Sequence, residues 1–120
     1  MQSKLLSMYP KTYRASRTEI ALVKKIGSLL KGQYLGVSYL QTDKKVNPKF
    51  AIIVSTKVSP KAVERNKIKR AIRKALFNML ADFKDGLILL ILTNKKSLEI
   101  TPSIAECEIR EIVDKIYLHK

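Results

Sequence analysis

The sequence predicts an α+β fold, a two-layer sandwich in which a small, mostly antiparallel sheet packs on helices in the order α-β-β-β-α-β-α. Three observations predict it. Residues 60–83 and the segment after Thr101 repeat apolar positions at spacings of three and four, as amphipathic helices do. Residues 34–41 alternate and contain β-formers. Residues 87–93 are apolar at nearly every position, the pattern of a strand covered on both faces. At 120 residues the whole chain, 1–120, suits a single domain with a modest core and one sheet partly open to solvent.

Each element has its own signal. Residues 1–15 are expected to be extended or partly flexible, and residues 1–7 to be an extension or an upstream start ahead of Met8. Ser16-Arg17-Thr18-Glu19 has capping-box spacing, so a helix should run over Arg17–Ile26 and stop at Gly27. Ile20 and Val23 turn inward there, with Ile26 a further candidate. Residues 28–30 read as a short edge strand before Gly32. The polar turn over 43–48, broken by Asn47-Pro48, then makes 50–55 the antiparallel hairpin partner of 34–41. Ser59 is positioned to cap, and Pro60 to open, a helix over 60–83 that Asp85-Gly86 stops. Ile68, Ile72, Ala75, Leu76 and Met79 form its core face. Residues 94–100 are loop. Thr101-Pro102 opens a last helix with Ala105, Ile109, Ile112, Val113 and Ile116 inward, in which Cys107 is an ordinary member and, as free cysteines usually are, buried.

Composition narrows the function. The formal charge is +14; residues 99–120 contribute −2 (five acids, three bases), so residues 1–98 carry +16. Nucleic acid or an anionic membrane surface is the partner such an excess implies. The longest apolar run, 87–92, is about a third of the roughly 20 residues a spanning helix needs, and the first residues lack the apolar core of a secretory signal. One Cys and one His, His119, allow neither an internal disulfide nor by themselves a structural zinc site. Cytoplasmic residence is the expectation. No nuclease-type acid cluster, glycine-rich phosphate loop or Cys/His pair is present, so no side chain is assigned a catalytic or metal-ligating role; Glu106, Glu108, Glu111 and Asp114 could attract a divalent ion but read first as a solubilising surface.

The informative stretch lies between Ser55 and Lys74. From Lys57 to Lys74 there are eight basic residues and one acid, Glu64. At roughly 100° per residue, Arg65, Lys69 and Arg73 form one stripe, with Asn66, Arg70 and Lys74 beside it. Cations crowded at spacings of three and four repel one another, and those near the helix start oppose its dipole. A polyanion relieves both.

These residues resemble the protein subunit of bacterial ribonuclease P. The family's basic helix reads Ala-Val-x-Arg-Asn-x-x-Lys-Arg-x-x-Arg, and Ala62, Val63, Arg65, Asn66, Lys69, Arg70 and Arg73 match every fixed position. Val54-Ser55 and Lys57 ahead of it, and Met8-Tyr9-Pro10-Lys11 near the start, are similar too. The resemblance implies an endoribonuclease, a hydrolase, whose catalysis resides in RNA: the protein binds the ribonuclease P RNA subunit and precursor tRNA, and promotes removal of the 5′ leader. It implies Mg²⁺ held mainly by the RNA subunit, no protein partner, no membrane, and a left-handed crossover between the strands flanking the basic helix.

On that resemblance Arg65, Lys69, Arg70 and Arg73 contact phosphates, with Lys57, Lys61 and Lys74 in support. Asn66 both donates and accepts, as reading a base edge or 2′-OH requires. Arg65, at the margin of the core face, serves either RNA or the bracing of the helix. The implied leader cleft lies between the first helix and the sheet. Its candidates are Tyr34, Tyr39, Ile20, Lys24, Arg14 and Ser55, and which tyrosine faces it depends on strand register. Tyr34, Tyr39 and Phe50 serve equally as sheet packing. Where relatives carry phenylalanines in the first helix, this chain has Ile20 and Lys24, so charge from Lys24, Lys57 and Arg14 is expected to outweigh ring stacking. The rival reading is a non-catalytic basic RNA-binding protein, such as a ribosomal protein or RNA assembly factor.

Overall fold

The computed structural model describes residues 11–118, and the start ahead of Met8 lies outside them. Within them a turn of 3-10 helix, Lys11–Tyr13, precedes α1 (Arg17–Ile26), β1 (Ser28–Lys31), β2 (Leu35–Gln41), β3 (Lys49–Ile53) and α2 (Ala62–Asn78). A second such turn, Leu80–Asp82, leads to β4 (Leu87–Thr93), a third, Lys95–Glu99, to α3 (Pro102–Leu118). The order of helices and strands is the predicted one.

The sheet order is β1-β2-β4-β3, with β1–β2 and β2–β4 antiparallel and β3–β4 parallel. The expected hairpin between β2 and β3 is therefore not formed. Strand β4, apolar on both sides, takes the centre, where neighbours on both edges satisfy its backbone. The connection over 42–48 passes the start of β4 instead of turning back. Thr42 N donates to Gly86 O at 3.1 Å and Gly86 N to Val46 O at 2.8 Å. Gly86 has φ +81°, and a Cβ there would lie 2.6 Å from Lys44 O and 2.7 Å from Thr42 O. Only glycine fits that crossing.

Strand alternation splits the core. On one face Leu35, Val37, Phe50, Leu87, Leu89 and Ile91 pack against the inner sides of α2 and α3. All ten inward positions predicted for these two helices are buried, with Ala71 besides. On the other face Ala51, Ile88 and Leu90 meet Val23 of α1 and Ala15. Helix α1 covers only part of that face, which is the side left open to solvent. Ser16 caps α1 as expected: its Oγ accepts from Glu19 N at 3.1 Å, and Glu19 Oε1 accepts from Ser16 N at 2.8 Å. Ile26, 58% exposed, is not inward.

Four local expectations are corrected. Lys11–Tyr13 forms a 3-10 turn and is not extended; after it, Arg14 bridges to Phe50 and Ala15 N donates to Phe50 O at 2.9 Å, partly covering the outer edge of β3. Helix α2 begins at Ala62, two residues past Pro60, because Lys61 is extended (φ −86°, ψ 119°). Ser59 Oγ instead accepts from Lys61 N at 3.1 Å and donates to the Glu64 carboxylate, closing a turn ahead of the helix. The helix ends at Asn78, where Met79 N tightens onto Leu76 O, and 3-10 geometry finishes the segment. Cys107 is exposed, since it lies on the side of α3 away from Ala105 and Ile109.

Candidate nucleic-acid interface

The cationic helix is held by its apolar side: Ile68, Ala71, Ile72, Ala75 and Leu76 are buried, so its outward side is fixed in orientation. That side is not uniform. Asn66, Arg70 and Lys74 form an exposed crest with Val63, which is 77% exposed. Arg65, Lys69 and Arg73 form a half-buried flank, on the side where Phe77 meets the ring of Tyr13 edge-on at 6.4 Å. The row first in the sequence reading is thus the more sheltered one. Arg65 Nη1 donates to Ser59 O at 2.9 Å, tying the helix to the joint ahead of it. Glu64, the lone acid of the stretch, sits in the first turn of α2, where the helix dipole favours it, and is bound by Ser59.

The joint from β3 to α2 carries Ser55, Lys57 and Lys61, all exposed. It is pinned between them. Val58 N donates to Ser55 O at 3.1 Å, and Val58 and Ser59 are buried.

The open face beside α1 is the second surface. Ile20 packs against its cluster, while Lys24 and Arg14 are exposed. Beyond α1 the face continues as a groove of about 250 Å³ lined by Leu29, Lys31, Gly36, Leu92, Thr93 and Asn94, among others. Neither tyrosine lies on it. Tyr39 follows Leu35 and Val37 in the alternation and packs with them toward α2 and α3. Tyr34 packs against the same cluster, and its carbonyl accepts from Ser97 Oγ at 2.6 Å. The residues of β2 that do face α1 are Gly36, Ser38 and Leu40, so this face is aliphatic and small where rings were anticipated. Phe50 is core, with Phe83 at 5.1 Å between centroids.

Two features escaped the sequence reading. Lys67 is exposed on the side of α2 that faces the start of α3. Glu108 binds the β1–β2 turn: its Oε1 accepts from Gln33 N (2.5 Å) and Tyr34 N (3.0 Å), its Oε2 from Leu35 N (2.6 Å) and Tyr34 N (3.0 Å). The only trace of this in the sequence is Gly32, where a Cβ would lie 2.5 Å from the Glu108 carboxyl carbon.

Three carboxylates of this region are already engaged. Glu108 is engaged by backbone N–H groups, and Glu106 and Asp82 by Arg110 at 3.2 and 2.9 Å. Among the described residues, no three His, Cys, Asp or Glu side chains cluster as metal ligands, and no helix is long and apolar enough to cross a membrane. The arrangement can bind polyanions along α2 and an extended strand beside α1.

Comparison with known proteins gives the family. The profile of the family Ribonuclease P matches residues 10–117. The ribonuclease P protein component of Pseudanabaena sp. (strain PCC 6903) is 35% identical over 85 residues, spanning 70% of this chain and 73% of that one. The solved ribonuclease P protein of Staphylococcus aureus superposes with a TM-score of 0.75 at 20% identity, over 92% of this chain and 100% of that one. That of Thermotoga maritima gives 0.74 at 20% identity, over 85% and 96%.

Proposed function

The chain belongs to the ribonuclease P protein family, protein components of an endoribonuclease that processes tRNA, and from that premise we propose how its two surfaces divide the work. Helix α2 docks on the catalytic RNA subunit, Arg70 and Lys74 on phosphates and Asn66 on a base edge or 2′-OH. Lys69, Arg73 and Lys61 add charge from the flanks. The open face beside α1 holds the single-stranded 5′ leader of precursor tRNA, in the cytoplasm. Mg²⁺ belongs to the RNA subunit, which cuts the bond; the protein supplies affinity and substrate choice. The observation that carries this reading is the exposed crest of Asn66, Arg70 and Lys74, presented on a helix whose other side is locked into the core.

The leader surface works by charge more than by stacking. Ring–base stacking contributes roughly 1–3 kcal/mol per base in single-strand binders. With Tyr34 and Tyr39 turned toward α2 and α3, the leader meets Ile20, Leu29 and Leu92, with Lys24, Lys31, Lys57 and Arg14 around them. A series of leader lengths should therefore gain affinity steeply at low salt and little at high salt. An equal gain at both would refute the charge-led cleft.

The docking itself is tested by mixing protein, RNA subunit and precursor tRNA at low Mg²⁺. Leader removal should need both RNA and protein, and should fail with the Asn66→Ala, Arg70→Ala double variant. RNA binding without stimulation, from folded protein and competent RNA, would favour the generic RNA-binding role instead.

A further inference from the structure

One cationic surface enters the division just described only through Arg70: the groove where the middle of α2 meets the start of α3. Lys67, Arg70 and Ala71 line one wall and Ile100, Thr101 and Pro102 the other, around a volume of about 420 Å³. Ala71 and Ile100 are buried, whereas Lys67, Arg70 and Thr101 are exposed. The Lys95–Glu99 turn lies against α2 and adds exposed Lys95 and Lys96. Among the described residues, no ion pair involves any of these four cations.

The far end of the same seam is built differently. There Arg110 bridges Asp82 and Glu106, Glu106 also accepts from Asn78 Nδ2 at 3.2 Å, and Glu111 and Asp114 are exposed on α3 beyond it. The seam is therefore polarised, with four cations to one acid, the exposed Glu99, at one end and compensated pairs and acids at the other. A polyanion is attracted to the first end and turned away from the second.

We propose that the RNA subunit does not stop at the crest of α2 but crosses this seam. Its backbone phosphates seat in the groove between Lys67–Arg70 and Thr101, and its footprint ends before Arg110. The inference rests on the docking of α2 proposed above. The RNA subunit is the occupant, rather than precursor tRNA, because Arg70 belongs to both crest and groove. The groove also lies in the helical layer across the sheet from α1 and the leader surface. Lys67 becomes a phosphate contact that the family motif does not include.

Thiol protection tests the footprint. Thr101→Cys and Val63→Cys are made separately, each keeping the native exposed Cys107 as an internal reference. Labelling by the neutral reagent N-ethylmaleimide is read site by site by mass spectrometry, for protein alone, with saturating RNA subunit, and with precursor tRNA. With the RNA subunit, both introduced thiols should label at least about 10-fold slower and Cys107 within about 2-fold of its free rate, because thiol reaction needs access. Lys67→Ala should flatten the dependence of log affinity on log salt by about 0.7–0.9, with an unchanged thermal midpoint. If Val63→Cys is protected but Thr101→Cys labels at its free rate, α2 docks and the crossing is wrong. If neither is protected, the docking reading fails with it. Protection of Thr101→Cys by precursor tRNA alone would give the groove to the substrate and overturn the assignment. Protection of Cys107, on the side of α3 away from Ala105 and Ile109, would overturn the confinement of the footprint to the seam.

Discussion

Replacing Glu108 with alanine should destabilise the fold far more than an exposed helix acid ordinarily does. Its carboxylate accepts from three consecutive backbone N–H groups, those of Gln33, Tyr34 and Leu35, 73 to 75 residues away in sequence. The three groups do not lose equally. Gln33 is exposed, so water replaces the carboxylate there. Leu35 is 1% exposed, so its N–H is left without an acceptor, at a cost of about 1–3 kcal/mol. Tyr34 is intermediate, and the interaction with an ionised acceptor is lost as well, which brings the total to about 2–4 kcal/mol. Unfolding entropy of about 2.1 cal/mol/K per residue makes that a fall of roughly 8–16 °C in thermal midpoint for a domain this size. Glu108→Gln keeps one acceptor oxygen but turns an NH₂ toward a donor, so it should lose at least half as much. Urea unfolding with an unchanged slope reads the difference, and hydrogen exchange at Gln33, Tyr34 and Leu35 locates it. The exposed Glu111 on the same helix supplies the control, with Glu111→Ala expected within about 0.5 kcal/mol of the parent. A Glu108→Ala variant inside that same range would refute the reasoning.

Gly86→Ala should destabilise by more than 1 kcal/mol, roughly, because alanine at φ +81° is strained and its Cβ would strike Thr42 O and Lys44 O; an unchanged urea midpoint would contradict this. Arg65→Ala and Arg70→Ala should separate: the first loses the bond to Ser59 O and about 1 kcal/mol of stability, the second leaves the thermal midpoint alone and weakens RNA binding. Burial holds the Tyr117 phenol above its ordinary 10.0, outweighing the Lys84 N–H that donates to it and favours the phenolate. A raised acid is neutral in the fold, so its contribution is complete below pH 10.0 and is lost as pH climbs through the raised value. Phenolate absorbance should show this late step, and Tyr117→Phe should remove it together with its share of the alkaline loss of stability.

What could be read from the sequence was what local periodicity encodes. The inner faces of α2 and α3 follow from spacing alone, because a helix fixes which residues share a side whatever it packs against. The Ser16 box is equally local. Strand partners are not. Nothing in residues 34–55 says that β4 will come between β2 and β3, and the same ignorance of register hid the face of Tyr39. At Ser59 two valid local rules pointed to a cap, but its hydroxyl is taken by Lys61 N and Glu64, while its carbonyl is taken by Arg65. The motif named the cationic residues of α2 without ranking them. Ranking needed the neighbours, since the Tyr13 segment shelters one flank and α3 borders the other. Glu108 looked like surface charge because its partners are backbone groups on a distant turn.

The two surfaces proposed to face RNA lie in layers on opposite sides of one sheet, and the chain passes from one to the other at the joint between β3 and α2. That joint is eight residues without regular structure, yet it is tied at every turn of its path: Val58 N to Ser55 O, Ser59 Oγ to Lys61 N and Glu64, Ser59 O to Arg65. Burial of Val58 and Ser59 removes the remaining freedom. A loose connection would let helix and sheet bind their RNA partners independently, each at its own entropic cost. A pinned one fixes the angle at which a docked RNA subunit and a bound leader meet, so ordering done in folding need not be repeated in binding. Lys57 stands exposed at that corner, between the two surfaces. On the division of surfaces proposed above, the locked joint is the means by which the protein would set where the RNA subunit cuts.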